Sequence, residues 1–328
     1  QALQEYLSTE QAQRGVQTTL IGEVARVYFI LAADYENFKL ALATLDAQQG
    51  IYEMIKLRYD NGVATEMELQ RAKTQVDAAQ GDIARYTQLT LQNQNTLNLL
   101  AGTSVPDDLI PQNQASVKPP KDISPGLSSD VLLRRPDIME AEHQLKAANA
   151  FIGAARAAFF PQISLTTALG TASTEFSNLF TSASKTWNFS PKTTMPIFDA
   201  RTWAAYRVSK ATQETAITQY EKTVQVAFRE VADALAVRGT VEQQISAQAS
   251  IVDSAKKIYE LSNERYLQGI DGYLSVLDAQ RSLYAAQQGL TALRLSKQAN
   301  QVRFYTVLGG DAELKNVDSP VADSVFKK

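Results

Sequence analysis

The sequence predicts a mainly α-helical fold with a small β portion. Residues 1–60 and 199–268 contain no proline, and apolar residues in the first stretch recur three and four positions apart, which is the period of an amphipathic helix. Between these stretches, residues 161–198 hold two segments that alternate apolar and polar residues, as strands do. An internal duplication indicates that the long helices come as two copies of one unit.

The duplication appears when residues 51–102 are aligned without a gap on residues 258–309, at an offset of 207 positions. The two segments are identical at 13 of 52 positions, including Tyr59/Tyr266 and Gly62/Gly269. Self-similarity over this length predicts a duplicated structural unit, and its period is far too long for a solenoid.

In the first copy, Asp60-Asn61-Gly62 predicts the end of a helix, because glycine adopts the left-handed conformation there without a Cβ penalty. Thr65 and Glu68 have the spacing of a capping box, which predicts a new helix that runs to Gly102. Two long helices joined by so short a turn must lie antiparallel. We therefore expect residues 1–102 to form a helical hairpin.

The middle of the chain changes character twice. Residues 103–128 contain five prolines among polar residues, which predicts an extended linker. Residues 129–160 predict an alanine-rich helix, and Pro136 suits its first turn. Residues 161–198 predict a hairpin of two strands, each of roughly ten residues with aromatic ends, a length that also fits a tilted membrane-barrel strand.

The second helical hairpin is predicted over residues 199–310, with its turn at residues 269–272. At about 1.5 Å per residue, its first helix would span on the order of 100 Å, which suits a coiled coil or a helical tube. Residues 311–328 lack periodicity and predict a mobile tail.

Composition excludes several classes of function. The formal net charge is −3, from 32 basic and 35 acidic residues, so we expect no nucleic-acid partner. The absence of cysteine excludes disulfides and thiolate metal sites. The only histidine is His143, and no nucleotide, phosphate or nucleophile motif occurs, so we predict no enzymatic activity, cofactor or metal. No run of 18 apolar residues exists, which predicts no membrane-spanning helix.

The second turn carries a concentration of polar residues. Leu274, Asp278 and Arg281 share one helix face just after the turn, because they lie at positions i, i+4 and i+7. Arg265 and Tyr266 precede the turn and are expected to reach them across the hairpin. These residues could form a solvated ion pair that stabilises one hairpin, or a ring of carboxylates and side-chain locks if several hairpins surround an axis. Spacing alone leaves both interpretations open.

One long motif resembles a known family. Residues 132–165, which begin Leu-Leu-Arg-Arg-Pro-Asp, resemble the signature of the outer-membrane efflux proteins, the TolC-like family, and in particular its OprM-like drug-efflux branch. Further segments with family likeness are Arg265-Tyr266-x-x-Gly269, residues 276–281 and Pro196-Ile197-Phe198. The resemblance extends to about Gly310.

This resemblance implies a homotrimer. Each protomer of the family contributes two strand hairpins to one transmembrane β-barrel in outer-membrane lipid and long antiparallel helical hairpins to a periplasmic α-barrel. This sequence holds one strand hairpin, so the resemblance implies a preceding segment with the other hairpin. In the family that segment also carries an N-terminal cysteine that is often lipidated.

The resemblance also implies a function in the Gram-negative outer membrane. The protein would be the exit duct of a tripartite efflux system, passively conducting substrates, expected to be drugs, from an inner-membrane transporter through a periplasmic adaptor. Its periplasmic tip would be the gate. The family's constricting positions match Leu274 and Asp278, and its polar lock matches Arg265, Tyr266 and Arg281. The helical-tip turns and adaptor contacts match Gly62, Gly269, Arg58 and Tyr59. Ser275 stands where some members carry a second aspartate, so we expect one carboxylate per protomer in the constriction.

The alternative is a soluble periplasmic coiled-coil adaptor or scaffold. Adaptors also contain long helical hairpins, but these are flanked by lipoyl-like and barrel domains rich in glycine and valine, which the sequence lacks. The aromatic and apolar residues of the strand segment distinguish the two hypotheses, since they would face lipid in a duct and a soluble core in a scaffold: Trp187, Phe189, Ile197 and Phe198.

Overall fold

The computed structural model describes residues 1–117 and 129–310, with the backbone alone at residues 129 and 130. Its helices are α1 (Ala2–Asp60), α2 (Glu66–Ala101), α3 (Pro136–Ala157), α4 (Ala200–Leu267) and α5 (Tyr273–Val307), and its strands are β1 (Gln162–Thr171) and β2 (Lys185–Thr194). The predicted fold class, mainly α with a small β portion, is confirmed. The predicted mobile tail and residues 118–128 of the predicted linker lie outside the described residues.

The chain divides into two compact units. We call the first the strand unit, formed by Gln1–Gln13 and Pro136–Gln225. The second is the tip unit, formed by the described residues of Arg14–Arg135 and Val226–Lys328.

In the strand unit, β1 and β2 form an antiparallel hairpin whose register runs from Gln162 opposite Thr194 to Thr171 opposite Lys185. Because side chains alternate between the faces of a sheet, this register places the large apolar residues on one face: Ile163, Leu165, Leu169, Trp187 and Phe189. The other face carries small and polar residues, among them Ser164, Thr166, Asn188 and Ser190. Every residue of both strands is exposed, so the chain itself covers neither face.

The strand hairpin is shorter than the predicted segment. β1 starts directly after Pro161, and β2 ends at Thr194, two residues before Pro196. Ile197 and Phe198 are exposed but lie beyond the strand.

In the tip unit, each helical hairpin is linked by an identical asparagine. Asn93 on α2 donates to a carboxylate oxygen of Asp34 on α1 at 2.6 Å. Its counterpart Asn300 on α5 donates to the carbonyl of Ala234 on α4 at 3.0 Å. The predicted antiparallel hairpins are present, and the equivalent asparagines link them through different acceptors, a side-chain carboxylate in the first and a backbone carbonyl in the second.

The predicted linker is not extended throughout. Its described part contains two short 3₁₀ turns, Asp107–Leu109 and Gln114–Ser116. Ile110 is buried against α1 and α2, and the buried Gln114 amide donates to the carbonyl of Thr291 on α5 at 3.0 Å. These contacts fold the linker onto the helices, which its proline content does not reveal.

The prediction of no membrane-spanning helix is too strict. One 18-residue window of α1 reaches a mean hydropathy of 1.3, so this helix is long and apolar enough to cross a membrane by length and composition. The signal is weak, because a buried core helix passes the same test and a third of the window is buried in the protein. The prediction rests on uninterrupted runs of apolar residues, whereas a mean hydropathy over 18 residues can be high even when a few of those residues are polar.

We expect Gly22→Ala to destabilise the protein by about 1–3 kcal/mol. Gly22 lies where α1 approaches α5, and an added Cβ would overlap the methyl group of Thr306, which is short and cannot swing away. Gly50→Ala in the same helix is the matched control, because an added Cβ at residue 50 meets nothing within 4 Å. It should stabilise the helix by about 0.5–1 kcal/mol. Thermal unfolding of both variants measures the difference, and equal stabilities would contradict the close approach.

Candidate functional site: the paired helical turns

The two helical turns have the same backbone structure. In each, the glycine amide donates to the carbonyl of the tyrosine three residues before it, at 2.8 Å in the first turn and 2.9 Å in the second. The following amide donates to the carbonyl of the preceding arginine at the same two distances. Gly62 and Gly269 have φ of 74° and 73°, the left-handed conformation predicted for both.

The helices that follow the turns start differently. α2 begins with the predicted capping box, in which the Thr65 amide donates to the Glu68 carboxylate at 2.8 Å and the Glu68 amide donates to the Thr65 hydroxyl at 3.3 Å. α5 begins at Gly272, which supplies no side-chain cap. Replacing a good side-chain cap by glycine costs a few tenths of a kcal/mol. The start of α5 therefore depends more on packing than the start of α2 does.

A small apolar cluster joins the turns, and we call it the tip core: Ile55 and Ala72 from the first copy, with Tyr266, Tyr273, Val276 and Leu277 from the second. The rings of Tyr266 and Tyr273 lie 5.5 Å apart between centroids. The equivalent tyrosines have different environments, because Tyr266 is 4% exposed and Tyr59 is 38% exposed. Only the second copy places this tyrosine in the core.

The tip core contains two buried hydroxyl groups that have no hydrogen-bond partner within the described chain, those of Tyr266 and Tyr273. Burial raises the pKa of both hydroxyls. An unsatisfied buried hydroxyl costs about 1–3 kcal/mol. Apolar contacts therefore hold the two turns together, although burying these two hydroxyls without partners costs free energy in the same cluster.

The two residues predicted to constrict a pore lie on the opposite face of α5 from the tip core. Leu274 and Asp278 are exposed, while their neighbours Tyr273, Val276 and Leu277 are buried. Within the described residues, the Asp278 carboxylate makes no ion pair or side-chain hydrogen bond. The face that carries them is thus left uncovered by the chain itself.

The structure does not bring the predicted lock residues to Asp278 within one chain. Arg265 forms a two-pronged ion pair with Asp271, at 2.5 Å and 3.1 Å, and this contact lowers the pKa of the Asp271 carboxyl. Arg281 donates instead to the side chain of Gln75 on α2 at 3.3 Å. Arg265 points back into its own turn because Asp271 lies within that tight loop and is the nearer carboxylate.

Helix periodicity does not point to Asp271, but comparison of the two copies does. At the offset of 207, Asp271 corresponds to Ala64, so the ion pair exists only in the second copy.

Polar contacts join α2 to α5 above the tip core, and the sequence does not predict them. The Tyr284 hydroxyl donates to Asp82 at 3.0 Å, and the Gln288 amide donates to the Tyr86 hydroxyl at 2.9 Å. These hydrogen bonds depend on which helices are neighbours in the fold, and helix periodicity does not reveal that.

The arginine-rich motif that carries the family resemblance has a structural role in the tip unit. Arg135 is buried, donates to the carbonyl of Val307 at 2.8 Å, and pairs with Glu230 at 2.8 Å. Breaking a buried pair by removing one partner is strongly destabilising. Arg135 therefore stabilises the packing of the tip unit and has no part in the helical turns.

The described residues contain no group of three or more histidine, cysteine, aspartate or glutamate side chains that could hold a metal ion. His143 shares a hydrogen bond of 2.8 Å with Gln4 in the strand unit. The second turn therefore presents an exposed face of α5, with the apolar Leu274 and the acidic Asp278, on the side away from the tip core.

Comparison with known proteins identifies the family. The model of the outer membrane efflux protein family matches residues 1–103 and 127–310. The solvent efflux pump outer membrane protein SrpC of Pseudomonas putida is 45% identical over 311 residues, covering 94% of this chain and 66% of SrpC. The cation efflux system protein CusC of Escherichia coli (strain K12) is 42% identical over 315 residues, covering 94% of this chain and 67% of CusC. The chain spans about two thirds of the length of these relatives.

Solved structures agree. A crystal structure of CusC superposes with a TM-score of 0.82 at 42% identity, covering 93% of this chain and 72% of that one. The open state of the Neisseria gonorrhoeae MtrE outer membrane channel gives a TM-score of 0.81 at 35% identity, covering 94% and 70%. SrpC is an outer membrane protein of an efflux pump, and MtrE is an outer membrane channel. The resemblance found in the sequence is confirmed, and the chain belongs to the outer membrane efflux protein family.

Proposed function

We propose that the protein is the outer-membrane exit duct of a tripartite efflux system, assembled as a homotrimer and gated at its helical turns. It would receive substrates from an inner-membrane transporter through a periplasmic adaptor and conduct them passively. The single observation that carries this proposal is the apolar face of the strand hairpin, which nothing in the described chain covers.

The dimensions of the hairpin suit a membrane. Ten residues at about 3.3 Å each, tilted by about 45°, rise roughly 23 Å, close to the ~25 Å apolar band of outer-membrane barrels. The apolar face would meet lipid, and the face with Ser164 and Thr166 would line the lumen. A soluble scaffold would have to cover Leu169 and Trp187, which are 83% and 74% exposed. The described residues offer no cover, which favours the duct over the scaffold.

The substrate is inferred from the architecture and the relatives together. SrpC is named for solvent efflux and CusC for cation efflux, although both are more than 40% identical to this chain. Such different cargoes at similar identity suit a passive duct whose partner pump selects the substrate. We infer drug efflux for this protein, with the pump setting the range of compounds.

The gate would form from the exposed face of α5. In a trimer, three copies of Leu274 and Asp278 would surround one axis, while the tip core of each protomer holds that face in place. Ser275 adds no charge, so the constriction would contain three carboxylates. Arg265, Tyr266 and Arg281 would act by fixing the turn and its neighbouring helix, since they bind Asp271, the tip core and Gln75.

We expect Asp278→Ala to raise single-channel conductance in planar bilayers and to weaken block by divalent cations by about tenfold, or about 1.4 kcal/mol. The reason is that the variant removes the carboxylates that narrow the pore and attract cations. Asp77→Ala is the control, because Asp77 is an exposed α2 carboxylate with no ion pair among the described residues. An Asp278→Ala channel indistinguishable from wild type in both measurements would contradict the gate.

We expect Leu165→Arg to impair insertion into the outer membrane, because it places a charge on the lipid side of the barrel. The cost near the middle of the bilayer is about 2–4 kcal/mol. Thr166→Arg, one residue away on the opposite face, should insert normally. Folding into lipid vesicles across a urea series measures both variants. Equal loss in the two would show that the hairpin faces are wrongly assigned.

A further inference from the structure

Positive charge is concentrated where the strand hairpin meets its helices. Residues 150–161 lead into β1 and residues 195–213 follow β2, and we call these two segments together the collar. The collar contains four basic residues and one acidic residue, a net charge of +3 in a chain whose formal net charge is −3. The acidic residue, Asp199, is already paired with the exposed Arg201. The collar therefore carries an excess of cations.

The three other cations of the collar are all exposed: Arg156, Arg207 and Lys210. Within the part of the chain that the structure describes, none of them forms an ion pair. Two of them come from different helices and meet at one ring. The guanidinium carbon of Arg156 lies 5.8 Å from the centre of the Tyr206 ring, and the Lys210 ammonium lies 5.1 Å from it. Like charges gathered at one ring repel each other, and an anion that contacts both would offset that repulsion.

Aromatic side chains surround these cations. Phe159 packs edge-on against Trp203 and Tyr206, with ring centroids 5.0 Å and 6.2 Å apart. Trp203 still remains 61% exposed, and the neighbouring Phe160 and Phe198 are 68% and 99% exposed. Membrane proteins place amphipathic rings and long basic side chains at the level of the lipid headgroups. The collar therefore has the composition of a surface that meets both hydrocarbon and charged headgroups.

The collar adjoins the apolar face of the strand hairpin at its helical end. β1 starts five residues after the end of α3, and Tyr206 lies six residues into α4, about 9 Å along the helix axis. Headgroups occupy roughly 5–8 Å on each side of the hydrocarbon core, and arginine and lysine side chains extend toward an interface. With the strands across the hydrocarbon layer, these cations reach the headgroups of the periplasmic leaflet.

We propose that the collar binds anionic phospholipid headgroups of the periplasmic leaflet, with Arg156 and Lys210 holding one headgroup phosphate beside Tyr206. A lipid places its phosphate at the depth of these cations and its acyl chains along the exposed rings and the apolar strand face. The arginine fork can bind two phosphate oxygens, and the lysine adds a point charge. The excess of cations favours phosphatidylglycerol, which is anionic, over phosphatidylcholine, which has no net charge. This inference rests on the proposed function, because it requires the hairpin to be inserted in a membrane.

The first test measures binding of phosphatidylglycerol and of phosphatidylcholine to the assembled channel in detergent by native mass spectrometry. Lys210→Gln and Arg156→Gln should each weaken phosphatidylglycerol binding by about fivefold, the contribution of one cation near an anionic membrane. Phosphatidylcholine should bind more weakly to the wild type and change little in the variants.

Lys222→Gln is the matched control for Lys210→Gln. It removes the same charge from an exposed side chain of the same helix, about 18 Å farther from the strands. This distance exceeds the screening length at physiological salt, so its phosphatidylglycerol binding should stay within about twofold of wild type.

Fluorescence quenching measures the depth of the collar without altering its cations, so this test stands even if a glutamine variant fails to assemble. A Trp187→Phe variant keeps Trp203 as the one tryptophan of the sequence. In vesicles that contain both lipids, a nitroxide on the headgroup should quench Trp203 more than a nitroxide at the end of an acyl chain. Stronger quenching by the deep label would contradict the placement of the collar at the headgroups.

The outcomes separate this inference from the proposed function. A wild-type channel that inserts into no lipid vesicle would overturn the proposed function itself. Equal binding of the two lipids by an inserted channel, or unchanged phosphatidylglycerol binding in Lys210→Gln and Arg156→Gln, would overturn the lipid site and leave the duct intact. An equal loss with Lys222→Gln would show general electrostatic attraction, and displacement of the lipid by an equal concentration of inorganic phosphate would show a free-phosphate site. Either result would also overturn the assignment to lipid.

Discussion

The packing of the second turn against the first is the contact on which the proposed gate depends. In this contact, Tyr266 and Tyr273 of the second copy belong to one buried cluster with Ile55 and Ala72 of the first. The helix that carries Leu274 and Asp278 has no side-chain cap at its start, so this small core positions it. The same core buries two tyrosine hydroxyls without partners. Separation of the turns would expose apolar surface but would let water hydrate both hydroxyls. The two effects oppose each other, which suits a contact that must open.

The two turns differ in their side chains although they come from one duplicated unit. The first turn is fixed by the Thr65 capping box and keeps an unpaired arginine at its surface. In the second, the same arginine is satisfied by Asp271, and the helix that follows has exchanged Arg71 of the first copy for Asp278. The backbone hydrogen bonds of the turns are equivalent throughout. The duplication therefore preserved the geometry of the turns, while a few of their side chains diverged.

The turns, the capping box and the strand alternation could be predicted because each is fixed by residues close in sequence. The left-handed φ of Gly62 depends on that residue alone, and the cap at Thr65 depends only on Glu68, three residues away. The partners of Arg265 and Arg281 could not be predicted from helix periodicity. The first depends on the path of a tight loop, and the second on which helix lies beside α5. The folded linker escaped prediction for the same reason, since Gln114 finds its partner on a helix distant in sequence.

Cross-linking of the assembled channel tests the gated duct most directly, because the sequence contains no cysteine. We would place a single cysteine at Asp278 and treat the channel with a short bifunctional maleimide while recording conductance. If three copies of this residue meet at the constriction, protomers should link to one another and the current should fall. Cysteine at Arg71, the equivalent position of the first copy, should not link. Linkage at Arg71 with none at Asp278, or an unchanged current through linked channels, would contradict the account.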